Sequence, residues 1–303
     1  MRAVQFDQYG DADVLHVAEV PTPVVGPGEA RVRVAATGVN PADPKWRQGM
    51  FQSFAPVPFP HVLGYDIAGT LDAVGEGVSG VTRGDRVVAM LNNFTKGGYA
   101  DYAVLPAADL APIPEGMDFA AAAALPCAAL TGVQVIDEHI RPSAGQTILI
   151  TGAVGAVGRF MTFAAVRRGV RVVAAVRARH AAEARALGAA EVVVLGEEWP
   201  GAPFDHVADT VGGPEVARLC RHVAPGGVIG TVATTPIDPA GLPSEPVFIA
   251  LHNDAAELAK IAGLVAAGEI TMPIARRLPL SAAAQAHRLM EAGGLGGKII
   301  LEP

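Results

Sequence analysis

The sequence predicts an α/β protein in which a β-rich region is joined to a parallel sheet covered by helices. Short apolar segments separated by Gly, Pro and Asp turns fill the first 117 residues, a spacing typical of a compact barrel or sandwich. From residue 119 onward, Ala-rich helical stretches alternate with β-branched runs, which is the βαβ rhythm of a parallel sheet. A glycine-rich turn lies between the first strand and the first helix of that rhythm, where it permits close approach of the backbone.

The predicted elements follow in chain order. In the β-rich region, strands are predicted over residues 30–36, 67–74 and 86–91. The second region has predicted strands over residues 146–151, 170–176, 192–195, 204–211 and 228–232, a helix that ends at Arg168, and another over residues 181–187. A helix over residues 255–267, a further short helix and a terminal strand over residues 298–301 complete the chain.

The composition of the chain argues against several classes of protein. The 303 residues include 30 acidic and 23 basic side chains, a formal net charge of −7, which argues against nucleic acid or an anionic membrane as partner. Only two cysteines occur, so a disulfide scaffold is excluded. The first residues lack a signal-peptide pattern, and the longest apolar stretch, residues 119–130, is too short to span a bilayer. We therefore expect a two-domain cytoplasmic protein.

The glycine-rich turn predicts a dinucleotide site. It carries the pattern AxGxxG at Ala153, Gly155 and Gly158, directly after a predicted strand and before a predicted helix. Small residues there allow a tight turn, and the helix N-terminus offers N–H groups to a pyrophosphate. The alternative is a turn selected only for packing. The expected cofactor contacts are Ala153, Val154, Gly155, Ala156 and Val157.

The charges after the second predicted strand indicate the type of cofactor. Units that bind NAD place a carboxylate about 20 residues after the glycines, yet no acidic residue occurs from Ala153 to Ala182. Arg177 stands at the expected position, with Arg179 close by. Because a guanidinium group suits the 2′-phosphate of NADPH, we predict NADPH as the cofactor. Alternatively, both arginines are solvated surface charges.

Several further motifs occur in a specific order. They are TGVNPAD at residues 37–43, LGYDIAG at 63–69, VGEGV at 74–78, GDRV at 84–87, GGYADY at 97–102, TG at 131–132, and GKII at 297–300. With the glycine-rich turn, this series resembles the zinc-free quinone oxidoreductase and enone reductase branch of the medium-chain dehydrogenase/reductase superfamily. The resemblance implies a GroES-like β-rich catalytic domain of residues 1–119 and 247–303 and a Rossmann domain, with a doubly wound parallel sheet, of residues 120–246. It also implies a homodimer.

The resemblance bears on metal binding as well. By motif position, the three catalytic zinc ligands of zinc-dependent relatives fall on Asn40, Tyr65 and Cys127. Only the cysteine retains a ligand type of that site, whereas catalytic zinc needs three protein ligands. We therefore expect no metal, and hydride transfer to a quinone or an α,β-unsaturated carbonyl, whose oxygen needs only a hydrogen-bond donor or cation.

The resemblance suggests roles for individual residues. Lys45 is the main candidate for the group that stabilises charge on the acceptor oxygen, although a solvated lysine is the alternative. Asn40 is expected to orient the nicotinamide, to bond the acceptor carbonyl, or merely to start an Asn-Pro turn. Tyr65 is expected to donate a proton or to pack. Asp43 is expected to brace this loop by pairing with Arg47.

Further residues and functions remain as alternatives at this point. Thr131 and Val211, the latter closing a predicted strand, are expected to border the nicotinamide. Lys298 is expected to reach the cofactor or to form a surface salt bridge. Candidate pocket residues are Phe51, Phe54, Phe94 and Phe248. The functional alternatives are a trans-acting enoyl reductase and a non-catalytic NADPH-binding protein on the same fold.

Overall fold

A computed structural model of the chain describes residues 1–92 and 97–303, and these form two compact units. The first unit contains Met1–Cys127 and Asn253–Pro303, and the second contains Ala128–His252. The chain passes between units after Cys127 and after His252, whereas the limits expected from the sequence lie after residues 119 and 246. Phe94, one of the candidate pocket residues, lies outside the described residues.

The helices and strands have the following bounds. The strands are β1 (Arg2–Phe6), β2 (His16–Glu19), β3 (Glu29–Val39), β4 (His61–Val62), β5 (Asp66–Val74), β6 (Arg86–Met90), β7 (Tyr102–Pro106), β8 (Ala111–Pro112), β9 (Thr147–Thr151), β10 (Arg171–Val176), β11 (Glu191–Val194), β12 (His206–Asp209), β13 (Ile229–Thr231), β14 (Pro246–Phe248), β15 (Ile274–Pro279) and β16 (Lys298–Glu302). The α-helices are α1 (Ala42–Arg47), α2 (Phe119–Ala123), α3 (Pro126–Gln134), α4 (Ala156–Arg167), α5 (Ala181–Ala186), α6 (Gly213–Cys220), α7 (Ala255–Ala266) and α8 (Ala283–Ala292). Within the described ranges, none of these helices has the length and apolar character that crossing a membrane requires.

The first unit consists of two sheets. Strands β2, β1 and β4 form the smaller sheet, and the larger has the order β15-β16-β3-β5-β6-β8, with β7 also paired to β3. Alternating side chains of the larger sheet, among them Val32, Leu71 and Val87, form its apolar core. In the register of β16, β3 and β5, Ile299 lies opposite Val39 and Asp66 lies opposite Gly38. Three strand ends that carry polar residues therefore lie side by side.

The second unit is a parallel sheet with helices packed against it. Its strands have the order β11-β10-β9-β12-β13-β14, and every neighbouring pair is parallel. Buried β-branched and aliphatic residues such as Leu149, Val173 and Val207 form the core beneath the helices. This arrangement confirms the predicted doubly wound parallel sheet. The sixth strand, β14, was not predicted, because its three residues are too few to give a periodic pattern.

One predicted strand is wrong in its extent. The run 204–211 was expected to be a single strand, but β12 ends at Asp209. The Asp209 carboxylate accepts the backbone N–H groups of Val211 and Gly212 at 2.9 and 3.0 Å, and these bonds bend the chain out of the sheet. Val211 therefore follows the strand instead of closing it, and it is exposed.

Candidate active site

The glycine-rich turn of the second unit joins β9 to α4. Gly152 has a positive φ of 62°, and a Cβ atom there would lie 2.4 Å from Thr210 Oγ1. A Cβ atom on Gly158 would lie 2.1 Å from the carbonyl oxygen of Gly152, so both positions require glycine. Ala153 is buried on the inner side of the turn, whereas Gly155 is exposed. The outer backbone is thus open to close approach by a ligand.

The first turn of α4 follows directly and has the properties of an anion site. Gly155 is the N-cap, and no side chain in the described part of the protein caps this end. Its N–H groups and the positive end of the helix dipole are suited to a pyrophosphate. The half-buried Val154, Ala156 and Val157 surround these amides. The residues present therefore fit the dinucleotide that the sequence pattern predicts.

Helix α3 packs closely against this turn. A Cβ atom on Gly132 would lie 2.7 Å from the carbonyl oxygen of Val157 and 2.6 Å from Phe160 Cβ, so glycine permits the approach of the two helices. Thr131, the preceding residue, is buried on α3. Thr131 is thus next in sequence to the residue at which α3 meets α4, and its expected place beside the nicotinamide stays a prediction.

Two exposed guanidinium groups follow the carboxyl end of β10. Arg177 and Arg179 are both exposed, and Arg179 Nε donates to His180 Nε2 at 3.1 Å. A third arginine, the buried Arg159 of α4, donates to Glu183 at 2.9 Å and to the Val154 carbonyl at 2.9 Å. This pairing offsets the charge of Glu183, the first carboxylate in the sequence after Arg177 and Arg179. Sequence reasoning missed Arg159, because a single arginine inside an apolar helix has no recognisable pattern.

Asp209 organises the ends of three neighbouring strands of the second unit. Besides the two backbone groups described above, it accepts the hydroxyl groups of Thr151 and Thr231 at 2.5 and 2.6 Å. Four donors and complete burial make this carboxylate a rigid support for the turn that carries Val211. The sequence signal was an Asp at the end of an apolar run, where the functional residues of parallel sheets often lie.

In the first unit, Asn40, Asp66 and Lys298 come together at the adjoining ends of β3, β5 and β16. Lys298 Nζ donates to Asn40 Oδ1 at 2.6 Å and to Asp66 Oδ2 at 2.9 Å. Asn40 Nδ2 donates to the same Asp66 oxygen at 2.9 Å. All three side chains are buried. The expectation of a surface salt bridge for Lys298 is therefore wrong, because strand register carries it inside the unit.

A second buried group begins with Asp43 on α1. Its Oδ2 accepts the Asn40 backbone N–H at 2.7 Å and the Tyr99 hydroxyl at 3.2 Å, and Tyr99 also lies 3.3 Å from His287 Nε2. Burial raises the pKa of Asp43 to about 7 and lowers the pKa of His287 to about 3. The expected pairing of Asp43 with Arg47 is wrong, because the Arg47 guanidinium bonds Glu291 of α8.

The remaining candidates of this unit lie on and after α1. Lys45 is half-buried, and burial lowers the pKa of its ammonium group. Trp46 Nε1 donates to the Tyr65 hydroxyl oxygen at 2.6 Å. The Trp46 ring meets Phe51 edge-on at 4.9 Å between centroids, and Phe51 meets Phe54 at 5.8 Å. An aromatic surface thus adjoins the polar groups, whereas Phe248 lies in the other unit, on β14.

The contacts of the three residues at the zinc-ligand positions show whether these residues could bind zinc. Asn40 Oδ1 accepts the Lys298 ammonium group, Tyr65 accepts Trp46, and the Cys127 backbone N–H donates to Asp66 at 2.8 Å. Across residues 1–92 and 97–303, no group of three or more His, Cys, Asp or Glu is placed to hold a metal ion. One thiol, one phenol and one amide whose oxygen accepts a buried ammonium group do not fit the three-ligand set of a catalytic zinc.

Comparisons with known proteins agree with this architecture. The family described as alcohol dehydrogenase GroES-like domain matches residues 26–115, and that described as zinc-binding dehydrogenase matches residues 178–301. A chloroplast envelope quinone oxidoreductase homolog of Arabidopsis thaliana is 31% identical over 100% of this chain and 98% of its own. The chain belongs to the medium-chain dehydrogenase/reductase superfamily.

Two solved structures extend the comparison within this superfamily. The quinone oxidoreductase from Coxiella burnetii has a TM-score of 0.91 at 28% identity, covering 100% of this chain and 99% of its own. An NAD-dependent alcohol dehydrogenase has a TM-score of 0.89 at 31% identity over 100% of both chains. The predicted combination of a GroES-like and a Rossmann domain is confirmed. As a medium-chain dehydrogenase/reductase, the protein is an oxidoreductase with a second unit suited to NAD(P).

Proposed function

We propose that this oxidoreductase transfers a hydride from NADPH to a quinone or an α,β-unsaturated carbonyl without zinc. The observation that carries the proposal is the set of side chains at the three zinc positions, Asn40, Tyr65 and Cys127, of which Asn40 accepts the buried ammonium group of Lys298. Reduction of a simple ketone places charge on one oxygen, where a Lewis acid helps most. A conjugated acceptor spreads this charge, so hydrogen-bond donors suffice. The quinone oxidoreductase names among its relatives support this acceptor class.

The residues of the first unit then act on the acceptor. Bound NADPH supplies the hydride. Lys45 donates from a half-buried ammonium group toward the acceptor oxygen, and Tyr65 and Asn40 add O–H and N–H donors. The Trp46 indole can only donate, so it bonds the oxygen of Tyr65 and directs the phenol proton elsewhere. The aromatic surface of Trp46 and Phe51 suits a flat acceptor.

The residues of the second unit support the choice of cofactor. Amides of residues 153–157 bind the pyrophosphate, and Thr131 and Val211 border the nicotinamide. Arg177 and Arg179 bind the 2′-phosphate, because both are exposed cations at the position where NAD-specific units carry a carboxylate. A carboxylate would repel that phosphate, whereas a guanidinium group can bond it through two N–H groups.

A kinetic survey tests the proposal. Chelator-treated protein is mixed with NADPH or NADH and with quinones, enones, simple ketones and alcohols, and nicotinamide absorbance is followed. We expect turnover with quinones or enones that is unchanged by added zinc, and an affinity for NADPH at least roughly tenfold above that for NADH. Zinc-dependent turnover of simple ketones or alcohols would contradict the proposal. Tight NADPH binding without turnover of any acceptor would favour a non-catalytic binding protein.

We also propose a homodimer. Strand β14 is an edge of the parallel sheet, and its Val247 and Phe248 side chains are 53% and 60% exposed. An edge strand with exposed apolar side chains favours pairing with a second copy. Light scattering should give the mass of two chains, and Phe248→Lys should shift it toward one. The cytoplasmic location expected from the sequence is likewise a proposal, which fractionation of the source cells would test.

A further inference from the structure

The side chain of Lys298 is enclosed in the first unit with two polar partners. Its Nζ lies 2.6 Å from Asn40 Oδ1 and 2.9 Å from Asp66 Oδ2, and Asn40 Nδ2 lies 2.9 Å from the same Asp66 oxygen. The second Asp66 oxygen accepts the backbone N–H of Cys127. The lysine is 2% exposed and the aspartate 0%, so solvent does not compete for these bonds. The three side chains form a closed triangle of hydrogen bonds.

The chemistry of the two partners determines which way the Asn40 amide faces. An ammonium group can only donate, so the Asn40 atom that meets Lys298 must be its oxygen. A carboxylate can only accept, so the atom that meets Asp66 must be the nitrogen. A reversed amide would set its N–H groups against the ammonium group and its oxygen against the carboxylate. Both hydrogen bonds would then be replaced by repulsive contacts inside the unit.

In this orientation, the second N–H of the Asn40 side chain can donate to a ligand. The Nδ2 group has two hydrogens, and one of them is directed at Asp66. The backbone N–H of Asn40 is bonded separately, to Asp43 Oδ2 at 2.7 Å. The bonds recorded for Asn40 in the described ranges leave the second Nδ2 hydrogen without an acceptor. The bond from Lys298 to Oδ1 also withdraws electron density from the amide, which strengthens its N–H groups as donors.

We propose that Lys298 is a positioning residue that locks Asn40 as an N–H donor to the acceptor oxygen on which negative charge develops. The inference rests on the proposed reduction of a quinone or enone, and it assigns Lys298 to the acceptor and not to the cofactor. Asn40 is the catalytic residue, because its amide touches the reacting oxygen, and Lys298 acts through that amide. The acceptors served best are those whose oxygen becomes an enolate or a hydroquinone anion before it is protonated.

A double-variant kinetic series tests whether Lys298 acts through Asn40. Lys298→Met and Asn40→Ala should each lower kcat/KM for the acceptor by roughly 10²-fold, the scale for a lost or misplaced donor. The double variant should be no worse than about threefold below either single variant, because both changes remove one interaction. The Kd for NADPH should stay within about twofold of the original value. Lys260→Met is the matched control, since Lys260 is exposed and paired with Glu257.

Two kinetic outcomes would overturn the inference. Losses that multiply in the double variant would show that Lys298 acts independently of Asn40. A weaker affinity for NADPH with an unchanged kcat in Lys298→Met would assign the lysine to the cofactor. Because Lys298→Met leaves the buried Asp66 carboxylate without a countercharge, the variant Lys298→Met/Asp66→Asn is made as well. It removes both charges together, and it should show the same loss of kcat/KM if orientation of the amide is what matters.

A spectroscopic measurement separates this inference from the proposed function. The side-chain amide signals of Asn40, identified by their disappearance in Asn40→Asp, report its orientation without turnover. We expect one strongly shifted, slowly exchanging proton, which Lys298→Met converts to a fast-exchanging signal and Lys260→Met leaves unchanged. Identical amide signals in the original protein and Lys298→Met would overturn the lock even if quinones are reduced. An intact lock without reduction of any acceptor would overturn the proposed function alone.

Discussion

The two units hold their candidate functional groups in opposite environments. In the second unit, these groups are backbone amides of the glycine-rich turn and the exposed guanidinium groups of Arg177 and Arg179. In the first unit, Asn40, Asp66 and Lys298 are buried and bond one another. Exposed charges are screened by salt and tolerate small shifts in position. Buried charges are screened little, and removing one leaves its partner unpaired.

This contrast predicts different responses to substitution. Where the backbone itself binds a ligand, affinity depends mainly on the geometry of the turn. Exposed side chains such as those of Arg177 and Arg179 each add a smaller contribution to that affinity. Where side chains bond one another in the interior, each member depends on the others, so effects are large and not additive.

The largest effect is expected for Gly158→Ala in the second unit. A Cβ atom there would lie 2.1 Å from the Gly152 carbonyl oxygen, so the turn must move away from its ligand-binding shape. We expect loss of measurable NADPH binding and a lower Tm. Gly263→Ala on α7 is the control, since its Cβ atom meets nothing within 4 Å, and it should stabilise the fold by roughly 0.5–1 kcal/mol. Normal NADPH affinity in Gly158→Ala would contradict backbone binding at this turn.

The second effect concerns Lys45, which is neither fully exposed nor fully buried. Lys45→Ala should lower kcat/KM by roughly 10²–10³-fold, the scale for losing one donor to a developing oxyanion. Because burial lowers the pKa of Lys45, activity should fall at a pH below that of an ordinary lysine. Lys45→Arg should remove this alkaline fall. A change below threefold in Lys45→Ala would exclude the residue from the reaction.

The difference between the two units also explains which of their features could be predicted from the sequence. The second unit was predictable because its groups are local: the glycines, the first turn of α4 and Arg177 lie on consecutive elements with a regular pattern. The end of β12 was misplaced, because the bonds from Val211 and Gly212 to Asp209 are tertiary features that apolar periodicity does not show.

The buried cluster of the first unit was predictable only in part. Asn40, Tyr65 and Lys298 were selected from motifs, but their partners were not, since Lys298 and Asn40 are 258 positions apart in sequence. Their contact depends on the register that sets β16 beside β3. The residue pattern shows neither the register of β16 against β3 nor the burial of Lys298. For the same reason, the expected pairing of Asp43 with Arg47 missed the long-range bonds to Tyr99 and Glu291.

A smaller effect is expected at the exposed rim of the second unit. Arg177→Ala should weaken NADPH binding by roughly 10- to 100-fold, since a charge-assisted hydrogen bond contributes about 1.5–3 kcal/mol. NADH binding should not change, because NADH lacks the 2′-phosphate. The control is Arg171→Ala, which removes an exposed arginine from the opposite end of β10, where it pairs with Glu191. An equal loss of affinity for both cofactors would place Arg177 outside the phosphate site. High salt should reduce the preference for NADPH.

The smallest effect is a pH dependence of stability from the buried Asp43. Burial raises the pKa of this carboxyl to about 7, so the folded state holds a proton that the unfolded state releases near pH 4. The stabilisation is complete below that lower value and is lost progressively as the pH rises to about 7. Between pH 6 and pH 8, Asp43 should therefore lower the free energy of unfolding by about 1.4 kcal/mol.

Asp43→Asn isolates this contribution, because its amide is neutral at every pH and resembles the protonated acid. Denaturant unfolding should give the free energy of unfolding of both proteins at pH 6 and pH 8. Relative to the original protein, the variant should be about 1.4 kcal/mol more stable at pH 8 than at pH 6. His287, with its pKa lowered to about 3, acts in the opposite direction in both proteins, so it cancels in the comparison. A difference that stays the same at pH 6 and pH 8 would mean that Asp43 does not titrate in this range, because it is either ionised or protonated throughout. The pKa of the buried carboxyl would then not lie near 7, which would contradict the prediction.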